Sequence, residues 1–443
     1  MNPSNQDWLE RSRHAVWHPC TQMKRHETLP IVPIARGEGA WLVDFEGRRY
    51  LDGVSSWWVN LFGHANPRIN AALLDQMNTL EHVILAGFTQ RPVVELSEKL
   101  GALTGLGHAF YGSDGASATE IALKMSYHYW RNLGRERKTG FVSLENSYHG
   151  ETLGALSVTD VPLFSATYAP LLRQTQRVKS PDWRLAEPGE SAEAYALRAA
   201  AELEALFEAR ADELAALIVE PLCQGAAGMA MYHPAYLRRA RELCDRYQVH
   251  LIADEIAMGF GRTGTLFACE QAGGLREGWK PDFICLSKGI TGGYLPLSAV
   301  LTTDAVYAAF YDDEVGRGFL HSHSYTGNAL ACRAALEVLA IFEDDGVLAA
   351  NRAKAAAVAA DFARLAAHPR VEHARQLGMI WAFEVKDAQP GFSGRVFEAA
   401  LARGLLVRPV SNTVYLMPPY VVSIGELQQA FDVLHRLLDE GLA

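Results

Sequence analysis

Cysteine is scarce in this chain: six in 443 residues (Cys20, Cys223, Cys244, Cys269, Cys285 and Cys332), with no CxxC pair and no cluster with histidine at metal-ligand spacing. That pattern excludes a disulfide scaffold and a zinc ribbon. Several of the six sit in apolar runs, as buried reduced thiols do. Positive charge is also short. Lys and Arg number 41 against 51 Asp and Glu, a formal net charge of -10, which argues against a nucleic-acid or anionic-membrane surface. No uninterrupted apolar run is long enough to span a bilayer. The opening Met1-Asn2-Pro3-Ser4-Asn5-Gln6-Asp7 has no basic stretch leading into an apolar core, so it does not read as a secretory leader. No period suggests a repeat array, and no GxGxxG follows an early strand, which makes a nicotinamide dehydrogenase a poor reading. These absences make a soluble cytoplasmic protein the default expectation.

What is present is ordinary in amount. The chain is 49% hydrophobic and 21% charged, as globular proteins are, and too long for one small core. From about residue 66 to 319, helical patterns alternate with short apolar strands at 141–144, 215–220, 249–255, 282–287 and 297–301. Continuous apolar strands between helices predict an α/β fold, with a mainly parallel central sheet covered by helices on both faces. The first sixty residues are rich in Trp, Pro and Gly, and 44–48 reads as a hairpin turn. Residues 180–200, rich in Pro, Glu and Ala, read as a surface excursion. After about Asp344 the pattern changes to an Ala-rich helix over 351–367, strand-like pieces at 379–383 and 414–417, and a closing helix over 425–438. The expected organisation is an N-terminal segment 1–65 joining the small domain, a large domain 66–340, and a smaller α+β domain 341–443.

Two strand ends carry the strongest chemical signal. The strand at 249–253 runs into Asp254 and Glu255, and a second strand from Asp282 ends at Ser287-Lys288-Gly289. Ligands of a parallel sheet gather outside the carboxyl ends of its strands, so an acid and an amine are expected in one crevice. A carboxylate for a pyridinium nitrogen and a lysine that condenses with an aldehyde are the minimum requirement of pyridoxal phosphate. An ordinary ion pair at a strand end would give the same pattern.

Other segments add weaker signals. Gly112-Ser113-Asp114-Gly115-Ala116-Ser117 opens a helix, and backbone N–H groups there suit a phosphate or a plain N-cap. Asn146-Ser147-Tyr148-His149-Gly150 places an aromatic ring at a strand end, where it can stack on a heterocycle or fill a core. His149 suits a base or a structural hydrogen bond. Glu220 and Arg262 have opposite charges that could pair beside the site or stand solvated in loops. His321-Ser322-His323-Ser324 offers hydroxyls for a phosphate; its histidines have no carboxylate or cysteine nearby, so no metal is expected. Arg408, after an apolar run, suits bidentate capture of a carboxylate or a surface salt bridge. Trp57 and Trp58 could wall an apolar channel or pack a core.

In this order the segments resemble class III aminotransferases of the fold type I pyridoxal phosphate superfamily. More narrowly, the chain resembles the 7,8-diaminopelargonic acid synthase subfamily, biotin-pathway aminotransferases acting on 8-amino-7-oxononanoate. The narrower likeness rests on Trp17-His18-Pro19, Ser55-Ser56-Trp57-Trp58, Asp254-Glu255-Ile256-Ala257 and Tyr415-Leu416-Met417-Pro418-Pro419-Tyr420. The resemblance implies that Lys288 holds the pyridoxal 5'-phosphate cofactor and shuttles a proton, that Asp254 keeps the pyridine nitrogen protonated, and that Tyr148 stacks on the ring. It implies that Gly115, Ala116, Ile256, His323 and Ser324 contact the cofactor, the 323–324 segment reaching the partner subunit of a homodimer. Trp57, Tyr148, Ser322, Arg408 and Cys20 would meet the substrates, an amino donor such as S-adenosylmethionine and a keto acid. Cys20 stands where tyrosine is usual, Ala116 where serine is common, and Ser324 where threonine is frequent. An ω-amino-acid:pyruvate aminotransferase, an aminomutase or another class III pyridoxal phosphate enzyme is the alternative within the class.

Overall fold

The computed structural model describes residues 4–275 and 278–441. Met1 to Pro3, part of the stretch read for a leader, lie outside it. The chain divides into two compact units, Met1–Asn70 with Ala349–Ala443, and Ala71–Leu348.

The unit 71–348 is built on one seven-stranded sheet. Its strands are β1 (His108–Gly112), β2 (Gly140–Leu144), β3 (Gln176–Val178), β4 (Leu214–Val219), β5 (His250–Asp254), β6 (Phe283–Leu286) and β7 (Ser298–Thr302), in spatial order β1-β7-β6-β5-β4-β2-β3. Strands β3, β2, β4, β5 and β6 are parallel. Every residue of β4 and β5 is buried, as expected where helices cover both faces. The strand expected at 297–301 is β7, and it departs from the parallel pattern by running antiparallel to both β6 and β1. Only a 3-10 turn at Lys288–Thr291 and a loop join it to β6. A parallel return would need a long crossover, usually a helix.

The helix α1 (Gly115–Asn132) lies on this sheet and buries Ala118, Ile121, Ala122 and Met125 against Ala216, Ile218, Ile252 and Phe283. The reading of 180–200 as a surface excursion is corrected in its second half. Ser191 caps a helix over Ala192–Arg210 whose Tyr195, Ala196, Ala199 and Ala200 are buried. Ala, Leu and Glu at helical spacing favour that outcome.

The other unit contains a four-stranded sheet (34–38, 41–44, 49–52, 405–406) and a three-stranded sheet (371–377, 380–385, 413–416). The turn at 44–48 joins two antiparallel strands, with Gly47 at φ 84°. The helix expected over 351–367 is two helices, Val347–Ala357 and Ala359–Ala366, separated at Val358. That β-branched residue is fully buried and its backbone leaves the helical region. The closing helix, Ile424–Asp439, starts from a Ser423–Glu426 capping box. Among the described residues no helix is long and apolar enough to cross a membrane.

Candidate active site

Four parallel strands that adjoin one another deliver four ionisable groups to their carboxyl ends. Asp254 is the last residue of β5, in register with Cys285 of β6. Lys288 lies two residues beyond β6, Glu220 directly after β4, and His149 in the loop after β2. Asp254 is nearly buried. Its Oδ2 lies 2.6 Å from Nδ1 of His149, and its Oδ1 accepts the N–H of Ile256 at 3.0 Å. His149 is itself buried, its backbone N–H given to the Thr159 hydroxyl at 2.9 Å. Its Nε2 is buried without a hydrogen-bond partner. Asp254 and the next residue, Glu255, diverge because successive side chains of an extended chain face opposite ways. Glu255 accepts the N–H groups of Ala268 and Cys269, at 2.9 and 2.7 Å, and ties down that segment.

Glu220 is not a solvated loop charge, and neither is Arg262: both are buried. The Glu220 carboxylate accepts the N–H groups of Tyr148 and Gly225, each at 3.0 Å. Burial raises its pKa to about 7, against the pull of His149 and with the push of Asp254. Lys288 takes a left-handed backbone conformation, φ 46°, uncommon for a residue with a Cβ. Burial lowers its pKa, and Asp254 and Glu220 oppose that shift. An amine whose charge is disfavoured by desolvation is a better nucleophile near neutral pH.

The turn at Gly115 and Ala116 begins α1. Asp114 caps it by accepting the N–H and the hydroxyl of Ser117, both at 2.8 Å. First-turn N–H groups have no intrahelical acceptor, so those of Gly115 and Ala116 stand at the open end of the helix. Gly115 packs on Ile256, and a Cβ there would come within 2.9 Å of Ile256 Cγ2. Gly150 packs on Ala116 in the same way, and a Cβ added there would come within 2.7 Å of Ala116 Cβ. Tyr148 is half-buried, gives its phenol proton to Glu151 at 2.8 Å and meets Phe164 edge to face. His323 reaches the turn, its Nδ1 3.0 Å from the Ser113 hydroxyl. Ser322 and Ser324 are exposed, and the Ser324 carbonyl contacts His82 Nε2 at 2.8 Å.

In the other unit, Arg408 places its guanidinium 4.4 Å from the centroid of Trp57, a cation–π distance. Both line a cavity of about 350 Å³ with His18, Tyr50 and Leu406. Cys20 is exposed and lines a neighbouring cavity that also includes Arg408. Trp57 belongs to a run of left-handed residues, Ser55, Ser56, Trp57 and Trp58, with φ of 51°, 47°, 71° and 71°. Hydrogen bonds hold it there. Ser55 donates to the Met417 carbonyl at 2.7 Å, and the Ser56 hydroxyl donates to Asp52 at 2.7 Å. Trp58 Nε1–H donates to the Tyr415 phenol at 3.0 Å. Of the tryptophan pair, Trp58 is core and Trp57 is the partly exposed one.

The structure thus gathers Lys288, Asp254, Tyr148, His149, Glu220, Ile256, Gly115 and Ala116 in one unit, and Trp57, Arg408 and Cys20 in the other. Sequence reasoning left the direct contact of His149 with Asp254 unread. It took Ser113 only as part of the 112–117 loop and passed over Lys124, which no local signal marks.

This arrangement has the requirements of a pyridoxal phosphate enzyme, and the comparisons agree. The chain belongs to the class-III aminotransferase family, whose model matches residues 22–438. It is a pyridoxal-phosphate-dependent aminotransferase of fold type I. The chain is 46% identical over 436 residues to the adenosylmethionine-8-amino-7-oxononanoate aminotransferase of Helicobacter pylori, with 96% of each chain covered. The crystal structure of the enzyme of that name from Methanocaldococcus jannaschii is 36% identical and superposes with a TM-score of 0.90 over 98% of both chains. An ω-transaminase of Pseudomonas jessenii, solved in complex with PMP, is 28% identical with a TM-score of 0.91, over 98% of this chain and 97% of that one.

The cofactor fits the residues present. A carboxylate and an amine at adjacent strand ends, Asp254 and Lys288, would suit a pyridine nitrogen and an aldehyde. The open helix start at Gly115 would suit a phosphate.

Proposed function

We propose that the chain transfers an amino group from S-adenosylmethionine to 8-amino-7-oxononanoate, giving 7,8-diaminononanoate for biotin synthesis. The observation that carries the chemistry is the buried Asp254–His149 pair beside Lys288 at neighbouring strand ends. The substrates follow from relatives of that name matching nearly the whole chain.

Bound pyridoxal phosphate supplies an electron sink for the bond broken at the amine-bearing carbon. Asp254 holds a proton at the ring nitrogen, and His149, hydrogen-bonded at 2.6 Å, fixes the carboxylate in place. Lys288 moves the proton at the reacting carbon with its ε-amine, which burial keeps from being strongly basic. Tyr148 covers one ring face, with Glu220 holding its backbone. Gly115 and Ala116 receive the phosphate, Ser324 completes that site in a homodimer, and His323 meets the turn through Ser113. Arg408, braced on Trp57, takes the carboxylate of the keto acid; Ser322 and Cys20 are assigned to substrate contact. The protein works in the cytoplasm.

A titration of the cofactor absorbance tests this reading. Bleaching by S-adenosylmethionine, reversed by 8-amino-7-oxononanoate, supports it. The fold similarity to an ω-transaminase keeps one other reading in view. Bleaching only by β-alanine or simple amines, reversed only by pyruvate, would establish that alternative.

A further inference from the structure

A string of four polar side chains runs from the surface to the phosphate turn. Lys124 Nζ lies 2.8 Å from His321 Nδ1. His321 Nε2 lies 3.0 Å from His323 Nε2, and His323 Nδ1 lies 3.0 Å from the Ser113 hydroxyl. Residues almost two hundred positions apart in the chain make its first link.

The ends of the string dictate its proton order. An ammonium has donors only, so His321 Nδ1 is the acceptor from Lys124. A neutral His321 then carries its proton on Nε2 and gives it to His323 Nε2. His323 must in turn carry its proton on Nδ1 and give it to Ser113 Oγ. The Ser113 hydroxyl, already accepting, is left to act as a donor, two residues before Gly115. The surroundings keep His321 neutral. Its ring stacks on Phe319 at 5.7 Å, and burial, with Lys124 and His323 beside it, lowers its pKa against the pull of Glu120. His323 is anchored independently, its backbone N–H held by the Thr326 hydroxyl at 3.0 Å. The string links α1, through Lys124, to the turn that opens α1, through Ser113.

We propose that Lys124, His321 and His323 are positioning residues whose ordered hydrogen bonds, acting through Ser113, hold the Gly115–Ala116 turn in its phosphate-binding shape. This rests on the assignment of that turn to the cofactor phosphate made above.

The test is equilibrium binding of two probes to the cofactor-free protein, pyridoxal phosphate and pyridoxal, which lacks the phosphate. His323→Phe and Lys124→Met each break one link. Each is expected to weaken pyridoxal phosphate about tenfold, the worth of one hydrogen bond, and to leave pyridoxal within twofold. His323→Gln can accept and donate along the same line, and Lys124→Arg can still donate, so both are expected to restore most of the loss. Unchanged pyridoxal phosphate affinity in the folded variants overturns the proposal, as does an equal loss for pyridoxal. Ala116→Asp separates this from failure of the phosphate assignment. If the added carboxylate leaves pyridoxal phosphate affinity intact, the turn is not the phosphate site and the string loses its role. If Ala116→Asp weakens binding and the string variants do not, only the string is refuted. Neutron diffraction of the unaltered holoenzyme gives a check free of folding effects. A deuteron on His323 Nδ1 and none on His321 Nδ1 supports the order; the reverse tautomers overturn it.

Discussion

Replacing Gly150 by alanine presses on the Gly115–Ala116 turn proposed to bind the phosphate. Gly150 sits at φ 126°, a region that residues with a Cβ rarely enter. Holding alanine there costs on the order of 1–3 kcal/mol. The new Cβ would also lie 2.7 Å from Ala116 Cβ and 2.9 Å from its Cα, about 1 Å inside an ordinary carbon–carbon contact. Neither partner is the end of a flexible side chain, so the backbone of the turn must move. Overpacking of this kind typically costs 1–3 kcal/mol. The structure can shed the strain by displacing the Gly115–Ala116 turn, and the cost then falls on phosphate binding. Gly150→Ala is expected to weaken pyridoxal phosphate by about 2–4 kcal/mol, roughly thirty- to a thousandfold. The change should be read by fluorescence titration of the cofactor-free protein. Ala116→Gly in the same background removes the 2.7 Å contact but keeps the one to Cα, so it should restore part of the loss. A Gly150→Ala protein that binds pyridoxal phosphate within threefold of the unaltered chain would refute the reasoning.

Further outcomes are expected. Lys288→Ala should abolish turnover, by at least about a thousandfold, while circular dichroism stays unchanged; a substantial residual rate would remove the lysine from its role. Arg408→Ala should raise the KM for the keto acid far more than that for the amino donor, and equal effects on both half-reactions would end its carboxylate assignment. His250 is buried, and burial lowers its pKa to about 4, whereas unfolded histidine titrates near 6.5. Its contribution is therefore fully present above about pH 6.5 and is lost as pH falls toward 4. Between pH 8 and 5 the cofactor-free protein should lose about 2 kcal/mol of stability from this group. Urea unfolding at the two pH values should show a shallower loss in His250→Leu; an unchanged difference would contradict it.

Much of this molecule is legible along the chain, and the limit is physical. Strands β4, β5 and β6 announce themselves as short apolar runs, because a strand buried on both faces has no polar alternation. Asp254 and Lys288 stand out because each is a charge at the end of such a run. The N-cap at Asp114 and the capping box at Ser423 are equally local. Patterns over a few residues encode these features, so reading them needs no knowledge of the rest of the fold.

Tertiary structure alone decided which strand lies beside which. Apolar runs are nearly interchangeable as sheet neighbours, so the order that sets β5 between β4 and β6 is not written in any of them. That order brings Glu220, Asp254 and Lys288 to one edge and lets His149, 105 residues away, reach Asp254. It also makes Glu255 a structural acid while its neighbour Asp254 faces the site. The antiparallel β7, the left-handed turn at Ser55–Trp58 and the Lys124–His321 link belong with these. Each is held by partners far away in sequence: Ser298–Thr302 by β1, Ser55 by Met417, His321 by Lys124. By itself the sequence determined which residues could do chemistry; the packing of distant segments decided which of them meet.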